Sequence, residues 1–152
     1  MIEEYDLSFL NLNTTKSKLL EIETASHGLV TKGFSTYNHG MPTLMYPELT
    51  GLRNIIKQYV RLYCIKYNIP PLKFINSWFN ISQAGNKLNA HKHEESIISG
   101  AFYISGSTSL IFPDTSIQPY PGLLVLFSSD LVHYTEEETE ERIIISFNTD
   151  YL

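Results

Sequence analysis

The sequence predicts a mainly β chain (β-rich α+β), an antiparallel sandwich or barrel covered by one long helix. Three observations predict it. From Lys73 onward, the runs 74–82, 96–105, 109–112, 122–127 and 142–148 are strand-like, joined by Gly, Pro, Asn and Ser turns with no helical pattern between them. Upstream, Leu52, Ile55, Ile56, Tyr59, Val60 and Tyr63 recur at three- and four-residue steps, the spacing of one apolar helix face. Ten tyrosines and eight phenylalanines suit a pleated, half-buried surface.

Taken in order, the chain opens with short strand-like pieces, 5–12 and 19–22, separated by Asn, Thr and Ser, and 33–40 reads as a loop or irregular edge. His27 and His39 stand alone there and read as isolated residues rather than ligands. The helix is expected over 47–67. Pro47 fits its first turn, and Pro70-Pro71 forbids continuation. Its role is to cover one face of the sheet. Cys64, near its end with no His or Asp pattern beside it, reads as a packing residue.

At 152 residues the chain reads as one domain, 1–152, with N-terminal strands and helix (1–72) packed on a β-barrel core (73–152) that carries the site. A domain of about 150 residues buries roughly 70% of its unfolded surface, enough for a core and an enclosed site without disulfides. One cysteine excludes an intramolecular disulfide and fits a reducing compartment. The first residues show no basic leader or apolar segment, and no apolar run approaches the roughly 20 residues that span a bilayer. A soluble, cytoplasmic protein with no membrane partner is the expectation. The net charge of −5 argues against bulk nucleic-acid binding through phosphates, and much of it sits in the run 136–141, which reads as a solvated loop.

The chemistry concentrates in His91-Lys92-His93, His133 and Arg142. On an extended strand, alternate side chains share a face, so His91 and His93 point the same way. Imidazole ligates iron, zinc, copper and nickel, and two on one face make half a site. His133 follows an apolar run, and Arg142 opens another strand nine residues later. A buried arginine there needs an anion. Parity puts Arg142, Ile144, Ser146 and Asn148 on one face, Trp78 and Asn80 together, and Ser99, Ala101 and Tyr103 together. Those faces describe strands lining a cavity, with the histidines at its mouth.

The order Trp78-x-Asn80, His91-x-His93, Ser99-Gly100-Ala101-Phe102-Tyr103, Pro121-Gly122, Phe127-Ser128-Ser129-x-x-x-His133 and Arg142-x-x-x-Ser146-Phe147-Asn148 resembles the small Fe(II)/2-oxoglutarate-dependent oxygenases of bacteria and phages. The resemblance spans roughly the second half of the chain, more loosely 33–56. It implies a double-stranded β-helix (jelly-roll) fold and an oxidoreductase with Fe(II) and 2-oxoglutarate as cofactors. It further implies O2 as co-reactant and a dioxygenase (hydroxylase) reaction that releases succinate and CO2. His91 and His133 match the two histidines of that family's metal triad. The commoner motif has Asp or Glu where this chain has His93. His93 ligates, or Glu94 or Glu95 swings in, or water completes a two-histidine site; parity favours His93. Arg142 matches the arginine that grips the distal carboxylate of 2-oxoglutarate, where a planar fork binds bidentately. Its usual serine partner two residues on is Ile144 here, leaving Ser146 as the nearest hydroxyl on that face. Tyr103 and Asn80 are further candidate donors to the co-substrate, and Trp78 reads more as core than as substrate platform.

Two other readings compete. A cupin-type three-histidine metalloenzyme needs no 2-oxoglutarate, and His93 in the acidic position favours it. A non-catalytic jelly-roll binding module would keep the histidines as structural residues. The primary substrate is left open among a protein side chain, a peptide and a small metabolite, and so is the oligomeric state.

Overall fold

The strand runs assemble into two antiparallel sheets. A computed structural model describes residues 1–27, 33–37 and 41–152. In chain order the elements are β1 (Ile2–Asp6), α1 (Leu12–His27), β2 (Gly33–Ser35), α2 (Thr50–Lys66), β3 (Leu72–Ser82), β4 (Ile98–Ser105), β5 (Leu110–Ile111), β6 (Ser116–Ile117), β7 (Leu123–Ser128), β8 (Tyr134–Thr135) and β9 (Arg142–Tyr151). The larger sheet has the order β1-β7-β4-β9-β3-β2, and the smaller one β6-β5-β8. Beyond β8 the backbones of His91 and His133 form an antiparallel bridge, which carries the smaller sheet toward the site.

Period-two alternation gives the large sheet two different faces. One face carries Phe79, Ile81, Phe102, Leu124, Leu126, Ile143, Ile145 and Phe147, which pack against Leu19 of α1 and Ile56, Val60 and Tyr63 of α2. The other carries Ala101, Tyr103, Leu123, Val125, Phe127 and Ile144, which meet Leu110, Phe112 and Ile117 of the small sheet. Side chains facing the small sheet therefore line the space between the sheets. Gly100 makes the close packing possible, since a Cβ there would lie 2.1 Å from the Phe147 ring.

The expected helix over 47–67 is present as a 3-10 turn, Pro47–Leu49, running into α2. Cys64 is buried on it, and burial pushes its thiol up. The N-terminal pieces differ from expectation. The strand expected over 5–12 ends at Asp6, and 19–22 lies inside α1. The physical reason is a thin apolar face: Leu12, Thr15, Leu19 and Ile22 follow helical steps, and Thr15 and Leu19 are buried, but polar residues hide the period. Asn11 accepts a hydrogen bond from the Asn13 N–H at 3.0 Å, a helix-capping contact. Within 33–40, expected as a loop or irregular edge, Gly33–Ser35 forms the edge strand β2 against β3. Residues 38–40, with His39, lie outside the described residues, as does the side chain of His27. Among the described residues no helix is long and apolar enough to cross a membrane.

Candidate active site

The histidine cluster is built by backbone pairing. His91 N–H donates to His133 O at 3.1 Å, and His133 N–H donates to His91 O at 3.0 Å. His93 N–H donates to Ser129 O at 2.8 Å. Ring centroids are 4.3 Å apart for His91 and His133, 5.0 Å for His91 and His93, and 5.4 Å for His93 and His133. One nitrogen from each ring lies within 4.8 Å of the others, a spacing that could hold a metal ion.

The tautomers follow from the partners. His91 Nδ1 lies 2.8 Å from Asn89 O, and His133 Nδ1 lies 3.0 Å from Leu131 O. A carbonyl oxygen only accepts, so each Nδ1 carries the proton and each Nε2 keeps its lone pair for a ligand. Burial pushes the His133 imidazole down to about 4, with the neighbouring histidines adding to the effect against its hydrogen bond to Leu131. Burial, then the charge of His91, pushes His93 down to about 4 as well. Both are neutral near pH 7, the form that binds metal. Glu94 instead pairs with Lys92 at 3.0 Å in solvent, and Glu95 is exposed.

Beneath the cluster, Ser99 Oγ meets Ser129 Oγ at 2.8 Å and donates to Asn148 Oδ1 at 2.6 Å, while Ser129 Oγ donates to Ser96 Oγ at 2.9 Å. This hydroxyl chain fixes the turn after His93 to the end of β7. Phe127 packs against His133 at 4.8 Å, which accounts for that ring's burial.

The opposite end of the cavity is charged. Arg142 is 3% exposed, and its Nη2 donates to Ser82 Oγ at 3.3 Å. Its Nε lies 3.0 Å from Glu138 Oε1, so the ion pair is close, yet neither Nε nor the carboxylate finds well-formed hydrogen-bond geometry. The Glu138 side chain is fully enclosed. This corrects the reading of 136–141 as solvated: its other glutamates are exposed, but Glu138 turns inward to neutralise Arg142. Arg142 Nη1 and Tyr103 Oη are buried and, among the described residues, make no well-formed hydrogen bond, although the guanidinium and the phenol lie against each other. Burial pushes the Tyr103 phenol up to about 12, against the pull of the guanidinium, so it stays protonated. Gly106, at φ +106°, leaves room for this arginine, since a Cβ there would lie 2.7 Å from Arg142 Cγ.

One cavity joins the two ends. It is a narrow cavity of about 60 Å³, open at its mouth, and His91, His93, His133, Arg142, Tyr103, Ser146 and Asn80 all line it. Trp78, expected to be core, is buried yet also faces the cavity, with its ring 5.9 Å from that of His93 and 4.8 Å from that of the exposed Tyr37. Sequence reasoning missed Glu138. The available signal was its position four residues before Arg142, but four neighbouring glutamates masked it.

The donor set suits iron(II) and a dicarboxylate. Three imidazoles can hold the ion while leaving positions open to other ligands, and a carboxylate would give the buried Arg142 Nη1 and Tyr103 Oη a well-placed acceptor. Residues 76–111 match the family described as "Putative 2OG-Fe(II) oxygenase". No curated protein matches the chain by sequence. Among solved structures, a viral collagen prolyl hydroxylase of Paramecium bursaria Chlorella virus-1, in complex with 2-oxoglutarate, superposes with a TM-score of 0.71 at 17% identity, covering 99% of this chain and 96% of that one. A Pseudomonas putida prolyl-4-hydroxylase superposes at 0.65 and 12% identity, covering 99% and 92%. The non-heme α-ketoglutarate-dependent epimerase SnoN of nogalamycin biosynthesis superposes at 0.69 and 10% identity, covering 99% and 76%. These likenesses establish the jelly-roll fold. The family match over 76–111 bears out the resemblance read from the sequence and indicates a 2-oxoglutarate-dependent oxygenase, an oxidoreductase whose family implies Fe(II) and 2-oxoglutarate.

Proposed function

We propose that the protein is an Fe(II)/2-oxoglutarate-dependent dioxygenase that hydroxylates a protein side chain, peptide or small metabolite, with His91, His93 and His133 as the metal ligands. Arg142 and Tyr103 take the distal carboxylate of 2-oxoglutarate, with Ser146 and Asn80 as further donors along the cavity. The observation that carries this reading is one cavity lined by three convergent imidazoles and a buried arginine whose Nη1 makes no well-formed hydrogen bond among the described residues.

Iron bound there supplies the redox chemistry by which O2, 2-oxoglutarate and a C–H bond become succinate, CO2 and a C–OH group. The protein's part is orientation. The backbone carbonyls of Asn89 and Leu131 hold His91 and His133 with Nε2 inward. Glu138 and Ser82 hold the guanidinium of Arg142. Leu110, Phe127 and Ile144 give the cavity dry walls, which strengthen the charged contacts inside. Trp78 stands beside His93 with Tyr37 edge-on against it, where a substrate would approach.

Thermal protection tests the reading. 2-Oxoglutarate raises the melting temperature of Fe(II)- or Mn(II)-loaded protein and has no effect on the chelated protein. Protection without metal would sink the shared-site reading. His93 in the acidic position favours a cupin-type enzyme as second reading, which expects metal to protect and 2-oxoglutarate to add nothing.

A further inference from the structure

Glu138 is placed to touch the arginine of this site, and its burial asks for more than that contact. Its carboxylate is fully enclosed, 3.0 Å from Arg142 Nε. Its backbone is pinned on both sides, with Glu138 N–H donating to Asn86 O at 2.7 Å and Gly85 N–H donating to Glu138 O at 2.8 Å. The surrounding glutamates face solvent. Burying a carboxylate costs several kcal/mol of desolvation, and neither of its oxygens makes a well-formed hydrogen bond here. Pairing with Arg142 alone accounts poorly for it, since the same pairing removes the free positive charge that a carboxylate ligand would seek.

The charges of the whole site give the reason. Where a site uses two histidines and one carboxylate, the ligands contribute one negative charge, and a free arginine contributes one positive charge. This chain has a third histidine in place of the carboxylate, so its metal end has no negative charge. It has Glu138 against the arginine, so that end has none to spare either. With a divalent metal both arrangements sum to two positive charges, matching a dicarboxylate. The negative charge has moved from one end of the cavity to the other.

We propose that Glu138 is a positioning residue that holds Arg142 by Nε and supplies, at the arginine end, the negative charge absent from a three-histidine metal end. The proposal rests on the assignment of His91, His93 and His133 as ligands and Arg142 as the carboxylate grip. It makes two commitments. Glu138→Gln keeps an oxygen acceptor for Nε but removes the charge, so it weakens metal binding roughly tenfold although Glu138 is not a ligand. His93→Asp installs the commoner ligand type, yet it weakens 2-oxoglutarate binding roughly tenfold, because the loaded site now carries one negative charge too many.

The test is a double-mutant cycle on the full chain, with Co(II) affinity read by calorimetry and 2-oxoglutarate affinity read on the Co(II)-loaded protein. The expected result is that Glu138→Gln in the His93→Asp background restores 2-oxoglutarate affinity to near the wild-type value. A residue that only braces Arg142 cannot do this, since its loss would do damage in both backgrounds. Weaker 2-oxoglutarate binding in the double variant than in His93→Asp overturns the proposal, as does His93→Asp binding 2-oxoglutarate as well as wild type. The second result needs no change at Glu138 and stands even if Glu138→Gln does not fold. Wild-type protein that binds no metal overturns instead the site assignment beneath it.

Discussion

Replacing Arg142 separates its two jobs, bracing the fold and gripping a carboxylate. Arg142→Ala leaves the Glu138 carboxylate enclosed with no counter-charge, and removing one partner of a buried pair costs about 3–5 kcal/mol. Arg142→Lys keeps the charge beside Glu138 but loses the planar fork, and with it Nη1 and the Nη2 contact to Ser82 Oγ. A charge-assisted hydrogen bond is worth roughly 1.5–3 kcal/mol, so the lysine variant is expected to bind 2-oxoglutarate about 10- to 100-fold more weakly. Its stability should fall by well under the alanine variant's loss. Metal content should not fall in either, because Arg142 is not among the clustered histidines and neither change adds positive charge to the cavity. Denaturant melts, metal analysis and a 2-oxoglutarate titration of each variant read the three quantities. Loss of metal with unchanged 2-oxoglutarate affinity would refute the carboxylate role and make Arg142 purely structural.

Three further outcomes are expected. His133→Ala abolishes metal binding, and a fully loaded variant in metal analysis would remove His133 from the ligand set. Gly106→Ala forces a side chain into a φ of +106° against the Arg142 stem, and is expected to destabilise by about 1–3 kcal/mol while weakening 2-oxoglutarate binding. Stability of the metal-free protein falls as pH drops from about 6.5 toward 4. His93 and His133 are held down to about 4 in the fold, so the unfolded chain binds more protons across that window. The slope flattens below it, and His133→Ala should remove part of it in urea melts run at successive pH values.

The larger sheet was legible because its central strands alternate cleanly, with Ile143, Ile145 and Phe147 on one face and Arg142, Ile144 and Ser146 on the other. The same parity grouped Asn80, Tyr103, Ser146 and Arg142, which line one cavity. What escaped has local causes. The buried face of α1 mixes Thr15 with Leu19, so composition concealed its period. β6 and β8 are two residues each, too short for any alternation to appear. Glu138 escaped because burial of one glutamate among several depends on backbone contacts to Gly85 and Asn86, remote in sequence. Trp78 escaped because a buried aromatic can face a cavity and a core at once.

On the proposed reading, one cavity holds iron(II) by three histidines and 2-oxoglutarate by Arg142. An anaerobic titration of Fe(II)-loaded protein with 2-oxoglutarate, followed by visible absorption, tests it most directly. A weak charge-transfer band is expected to grow and saturate, as bidentate chelation of the metal requires, and to be absent in His133→Ala. Iron binding without any such band would contradict it and favour a three-histidine enzyme that needs no 2-oxo acid.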